Sequence, residues 1–285
     1  KHTSYGIGGP AIAYIIPKDR NDLVETLNFS KKHKIPVYFI GSGSNLLVSD
    51  NGVDGIVISP AKSLKKLNIN GGLISAESGV MLGRLVKECM KRNLTGLESL
   101  VGVPGTLGGA LVMNAGAFGE EISNYLKSVD VMTMEGEIKT YLPTEINFSY
   151  RFSSLKKEEF ILEAKFRLHS AQPNKIKENK EKASSGRKTN QPLKFRSAGS
   201  VFKNPKDYAA GYLIDRAGLK GTRIGDAEIS NHHANFFINH GNASASDITE
   251  LIHLAKTTVY DKYKIMLELE IKTIGFDSKH LTIND

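Results

Sequence analysis

The chain has 285 residues, 40% hydrophobic and 24% charged, with one cysteine and a formal net charge of +8. That balance excludes a disordered chain and a disulfide-stapled one, and no apolar run reaches the roughly 18 residues of a membrane span. The surplus lysines are scattered or alternate with acids between Lys175 and Lys182, which fits steering of small anions and solvated faces better than a nucleic-acid stripe. With no signal-peptide pattern at its start, the protein is expected to be cytoplasmic, without membrane or nucleic-acid partners. Length favours about two domains. The chain opens at Lys1 and not at a methionine, so an N-terminal segment is expected to precede it.

Leu23, Val24 and Leu27 predict a helix within 19–34, followed by Pro36 and a strand at 37–40. That strand delivers Gly41-Ser42-Gly43-Ser44-Asn45, an ordinary tight turn or a phosphate-cradling one. Short strands follow near 55–58 and 73–77, then a helix at 81–92 with Leu82, Leu85, Val86, Cys89 and Met90 on one stripe. Cys89 therefore reads as a small buried hydrophobe and not as a nucleophile. Residues 102–119 hold six glycines in eighteen positions. Glycine loses more backbone entropy on folding than any other residue, so such density predicts positive φ or close approach to a ligand. Bare N–H groups in such a loop suit a diphosphate.

Beyond the loop, 128–134 and 138–141 predict a hairpin turned at Glu135-Gly136, and 160–168 a further strand. Residues 170–197 read as a charged helix and an exposed connection at a domain boundary. A smaller α+β body follows: a helix at 208–217 closed by Gly218, a strand at 234–238 and a helix at 247–260. Residues 265–272 alternate as a strand, burying Ile265, Leu267, Leu269 and Ile271 and displaying Glu268, Glu270 and Lys272. Periodicity does not choose between the two glutamates.

Three segments carry candidate chemistry. Ala198 to Pro205 gathers Ser200, Lys203 and Asn204, either as a site loop or as a helix cap and turn. Arg151, beside Tyr150 and Phe152, suits bidentate capture of a carboxylate or phosphate, or a surface ion pair. His232-His233 is the one close histidine pair; adjacent strand residues face opposite sides, so no metal site is expected.

Thr3 to Ala11, Gly41 to Asn45, Gly102 to Gly119, Tyr150-Arg151, Ala198 to Pro205, Ala210 to Ile214 and Leu267 to Glu270, in this order, resemble the bacterial UDP-N-acetylenolpyruvoylglucosamine reductase (MurB) family over nearly the whole chain. The resemblance implies an α+β protein with a two-lobed FAD-binding domain of the vanillyl-alcohol-oxidase/PCMH type and a smaller α+β substrate domain. The flavin domain would cover 1–189, in lobes of about 1–59 and 60–189, with a tail strand in 264–285 returning to it. The substrate domain would cover 190–263.

The resemblance further implies non-covalent FAD, NADPH as co-substrate, and reduction of the enolpyruvyl group of UDP-N-acetylglucosamine enolpyruvate to UDP-N-acetylmuramate in peptidoglycan synthesis, by a monomer. Ser200 would protonate the C2 carbanion, and Arg151 with Glu270 would stabilise the enolate. Gly41, Ser42, Gly43, Ser44, Asn45, Gly102, Pro104, Gly105, Thr106, Gly108, Gly109, Asn114, Ala115 and Gly116 would bind the cofactor. Lys203, Asn204, Lys188, Gln191 and Tyr150 would contact the UDP-sugar. The short connection from Arg151 to Ser200 matches the form lacking an extra tyrosine-bearing loop. Asp226 and Glu228 depart from the smaller or apolar residues usual there. Two other functions remain open: an FAD-dependent oxidase or dehydrogenase on the same flavin domain, and a non-catalytic nucleotide-binding module.

Overall fold

The first predicted helix forms at Arg20–His33 in the computed structural model, which describes residues 1–276 apart from the Lys188 side chain. Asp19 caps it by accepting the Asn21 and Asp22 N–H groups, and Leu23 and Leu27 are fully buried. Positions 277–285 of the expected tail lie outside the described residues.

The chain divides into two compact units. One comprises Ile12–Ser42 and Gly55–Arg187; the other comprises Lys1–Ala11, Gly43–Asp54 and the chain from Lys188 onward. The first, called here the glycine-loop body, is built on an antiparallel five-stranded sheet. Its order is Ile138–Tyr141, Leu126–Met132, Phe160–Arg167, Leu73–Glu77, Leu67–Asn70. The predicted hairpin turns where Gly136, at φ 84°, donates to the Thr133 carbonyl. In the central strand, Asp130 opposes Glu163 while Val131 opposes Ile161. This bulge switches which residues face which side. Phe160 and Leu162 join the core under helix Arg20–His33, whereas Ala164 and Phe166 join the core under helix Leu82–Met90.

Cys89 on that second helix is 1% exposed, and burial pushes its thiol up to about 12. We expect no reaction with a disulfide reagent at pH 8 in the native protein and one equivalent after denaturation. Fast native labelling would place the thiol on the surface.

In the second unit, the C-terminal body, helices Ala210–Arg216 and Ala245–Tyr263 belong to one core with the sheet Arg223–Ile224, Ala227–Ile229, Phe237–Asn239. Ser244 and Asp247 form a capping box at the longer helix, and Asp50 accepts the N–H groups of Ala245 and Ser246. Gly218, at φ 84°, closes the shorter one as expected. The strand expected at 234–238 is confined to Phe237–Asn239, because Ala234 and Asn235 lie in the preceding turn. Leu46–Val48 pairs in parallel with Lys272–Ile274, and Asn239 Nδ2 donates to the Tyr5 carbonyl. These bonds tie Gly43–Asp54 and the N-terminal residues to the same unit as the tail, a grouping the expected division at 189/190 does not contain.

The continuous strand expected at 265–272 is shorter. Regular pairing is confined to Lys272–Ile274, with an isolated bridge from Leu269 to Phe202. The alternation itself holds: Leu267 and Ile271 are buried, and Ile265 and Leu269 pack partly buried against them. Asp226 and Glu228 are also accommodated. The Asp226 carboxylate accepts the Asn242 N–H at 3.0 Å; Glu228 meets His240 Nε2 at 2.7 Å and accepts from Asn231 at 3.2 Å.

Candidate active site

In the glycine-loop body the two glycine turns meet. Ser59 Oγ donates to the Gly41 carbonyl at 2.7 Å, and a Cβ on Gly41 would stand 2.5 Å from Thr106 Oγ1. Only a glycine fits that approach. Thr106, fully buried, caps helix Leu107–Val112. Gly105 has φ 125°, and its carbonyl accepts the Leu82 N–H while that of Thr106 accepts the Ala110 N–H. Among the described residues the N–H groups of Gly105 and Thr106 make no hydrogen bond. Carbonyls turned inward with amides left over are what a diphosphate cradle requires, so the residues fit such a group.

Not every glycine in the loop is open to a ligand. A Cβ on Gly116 would stand 2.8 Å from the Glu120 carbonyl, and one on Gly108 would stand 3.1 Å from Ser78 Cβ. The fold itself uses their small size. Asn114, buried at φ 42°, donates to Glu121 Oε2 at 2.6 Å and to the Ser149 carbonyl at 3.2 Å. It thereby anchors the hairpin that follows Ser149, and Ala115 is buried beside it.

That hairpin, Phe148–Ser149 paired with Phe152–Ser153, turns on Tyr150 and Arg151. Arg151 holds φ 56°, a left-handed conformation that costs an L-residue roughly 1–2 kcal/mol. Its guanidinium lies 4.9 Å from the Tyr150 ring centroid. Ser153 Oγ donates to the Val112 carbonyl, fastening the hairpin to the helix of the glycine loop.

Sequence reasoning missed Arg187, near the end of helix Pro173–Asn190. Its Cδ would be 3.2 Å from a Cβ on Gly102, and its Nε is buried without a partner. Burial first, and then the charge of Arg151, hold this guanidinium below its usual pKa. The helix is tethered by Asn179 Nδ2, which donates to the buried Glu98 carboxylate at 2.9 Å. Its charged composition disguised a residue turned inward.

In the C-terminal body, residues 200–203 form a short ribbon beside 268–270. The Glu270 N–H donates to the Val201 carbonyl and the Lys203 N–H to the Glu268 carbonyl, both at 2.8 Å. Ser200 and Glu270 thus lie on neighbouring extended segments, and Lys203 meets Glu268. Asn45, from the first glycine turn, donates to the Glu270 carbonyl at 3.1 Å, and its own carbonyl accepts the Lys272 N–H. The two glutamates separate here. Glu268 is an exposed partner of Lys203 at 3.3 Å, whereas Glu270 is half-buried between the ribbon and Asn45.

Asn204 Oδ1 accepts the Ala210 N–H at 3.0 Å, so its carboxamide caps helix Ala210–Arg216. The choice left open between a site loop and a helix cap falls on the cap for that atom. Gln191 is half-buried, with its carbonyl accepting the Leu193 N–H. A second residue missed from sequence is Asn235, 2% exposed, whose side chain holds Phe202 from the other side of the ribbon. Its one signal was a carboxamide inside the apolar run 234–238.

Among the described residues no cluster of His, Cys, Asp or Glu could hold a metal ion, and no helix is long and apolar enough to cross a membrane.

A glycine cradle joined to an arginine-tipped hairpin defines a nucleotide-cofactor protein, and comparison with known families names the cofactor. A family model described as FAD binding domain matches residues 11–141, and one described as UDP-N-acetylenolpyruvoylglucosamine reductase, C-terminal domain, matches 191–274. The chain is a FAD-binding oxidoreductase. It is 42% identical to UDP-N-acetylenolpyruvoylglucosamine reductase of Clostridioides difficile over 97% of this chain and 91% of that protein. It is 40% identical to the same-named protein of Alkaliphilus oremlandii over 96% of this chain and 90% of the other. The crystal structure of UDP-N-acetylenolpyruvylglucosamine reductase (MurB) from Thermus caldophilus matches with a TM-score of 0.83 at 36% identity, over 96% of both chains. The chain belongs to the UDP-N-acetylenolpyruvoylglucosamine reductase family.

Proposed function

We propose that this protein reduces the enolpyruvyl group of UDP-N-acetylglucosamine enolpyruvate to give UDP-N-acetylmuramate, with one non-covalently bound FAD and NADPH as reductant. The observation that carries this reading is the 200–203 ribbon against 268–270, in which main-chain bonds set the segment that follows Ser200 beside Glu270 and Lys203 pairs with Glu268, in a chain related along its length to such reductases.

FAD, when bound, supplies the hydride that adds to C3 of the enolpyruvyl group. The chain's own residues handle the rest. Gly41, Ser42, Gly105 and Thr106 offer the amide cradle for the cofactor diphosphate, and Gly43, Ser44 and Asn45 are assigned to the same cofactor. Arg151, held at the hairpin tip, pairs with the substrate carboxylate, and Arg187 adds a second positive charge to that body. As negative charge moves onto the carboxylate-conjugated carbon, Arg151 and Glu270 stabilise the enolate and the Ser200 hydroxyl gives its proton to C2. Ser200 Oγ makes no hydrogen bond among the described residues, so it is not committed to holding the fold. Lys203, with Asn204, Lys188, Gln191 and Tyr150, serves the UDP-sugar.

The functional division assigns residues 1–189 and the tail strand to the flavin domain and 190–263 to the substrate domain. The protein works as a cytoplasmic monomer.

An anaerobic titration tests the reading. NADPH should bleach the yellow protein, and the enolpyruvyl sugar nucleotide should restore the colour stoichiometrically. Acid precipitation should leave the flavin in the supernatant. Recovery of colour only on admitting air would instead support an oxidase, and flavin in the pellet would contradict non-covalent binding.

A further inference from the structure

We propose that Asn235 is the positioning residue of the proton-donor loop, and that its carboxamide, acting as a substitute peptide group, sets where the Ser200 hydroxyl lies. The inference rests on Ser200 being the donor.

The ribbon has two sides. On one, the Val201 carbonyl and the Lys203 N–H face residues 268–270. On the other, the Phe202 N–H and carbonyl would need a neighbouring strand, and none runs there in register. Asn235 fills that role. Its Oδ1 accepts the Phe202 N–H at 2.9 Å, its Nδ2 donates to the Phe202 carbonyl at 2.8 Å, and its own carbonyl accepts the Val201 N–H at 2.8 Å. Ser200 bridges to Phe236, the next residue along. Phe202 is fully buried, so the ribbon has no water to fall back on.

Only a planar group with a donor and an acceptor at peptide spacing satisfies both Phe202 groups at once, and asparagine has the shortest such side chain. Aspartate keeps the shape and loses the donor. Glutamine keeps both groups one methylene too far out. Asn235 is itself held: its N–H donates to His233 Nδ1 at 3.2 Å, and a Cβ on Gly211 would stand 3.5 Å from its Cβ. A displacement near 1 Å in a positioned catalytic group lowers rates by up to about 10²-fold. A residue whose carboxamide clamps two of the three peptide groups after Ser200, and whose carbonyl holds the third, has that leverage.

The test is a double-mutant cycle read by stopped flow. Asn235→Asp should slow reoxidation of reduced flavin by the enolpyruvyl substrate roughly 10- to 100-fold, with NADPH reduction of the flavin and the substrate KM little changed. In a Ser200→Ala background the same substitution should cost almost nothing further, since the group it positions is gone. Full multiplicative loss in that background would overturn the proposal, as would an unslowed Asn235→Asp. If Ser200→Ala alone were harmless, the donor assignment would fail instead. Should Asn235→Asp not bind FAD, Asn235→Gln takes its place in the cycle. Failure of both to bind FAD would overturn the proposal by making Asn235 a support of the whole body.

Discussion

Ser200→Ala is expected to slow the substrate half-reaction by on the order of 10²-fold or more, the usual consequence of removing a positioned general acid. The ribbon is held by main-chain bonds at Val201, Phe202 and Lys203, none of which involves the Ser200 side chain. The loop should therefore keep its shape, and flavin reduction by NADPH should be unchanged. Stopped-flow measurement of the two half-reactions separates the outcomes. Equal slowing of both would make Ser200 a structural residue.

The second large effect is expected at Glu270. Same-face residues two apart on an extended chain stand nearly 7 Å apart, about twice the rise per residue, so both glutamates cannot make one close contact. Their surroundings now differ too. Glu268 is 73% exposed and pairs with Lys203, a surface bridge contributing about 0–1 kcal/mol. Glu270 lies where Asn45 and Val201 hold its main chain. Glu270→Gln should remove roughly 3 kcal/mol of transition-state stabilisation, a loss near 10²-fold in reoxidation of reduced flavin by substrate. Glu268→Gln should cost several-fold at most, appearing in KM through Lys203. A larger loss at Glu268 than at Glu270 would defeat the assignment.

The sequence by itself determined the elements whose signals are local. Helix Arg20–His33 follows from its apolar stripe, the hairpin expected over 128–141 from a Glu-Gly turn, and the burial of Cys89 from its place on a helical face. Glycine density announced close backbone approach, and motif order announced the family. Within the glycine-loop body, Gly41 comes so close to Thr106 that a Cβ there would stand 2.5 Å from its Oγ1, a pairing that no local pattern announces.

Only the tertiary structure decided which residues share a body and which polar groups are already spent. Asn45 meets Glu270 across 225 positions, and Asn235 meets Phe202 across 33. No periodicity of 2 or 3.6 encodes such pairs, because each depends on where two distant backbones leave peptide groups unsatisfied. The same reasoning explains Asn204, whose carboxamide is drawn to the open N–H of Ala210. It also explains Arg187, hidden in a helix that reads as solvated. Local patterning records which face is apolar; where buried donors and acceptors find partners is settled when the chain closes on itself.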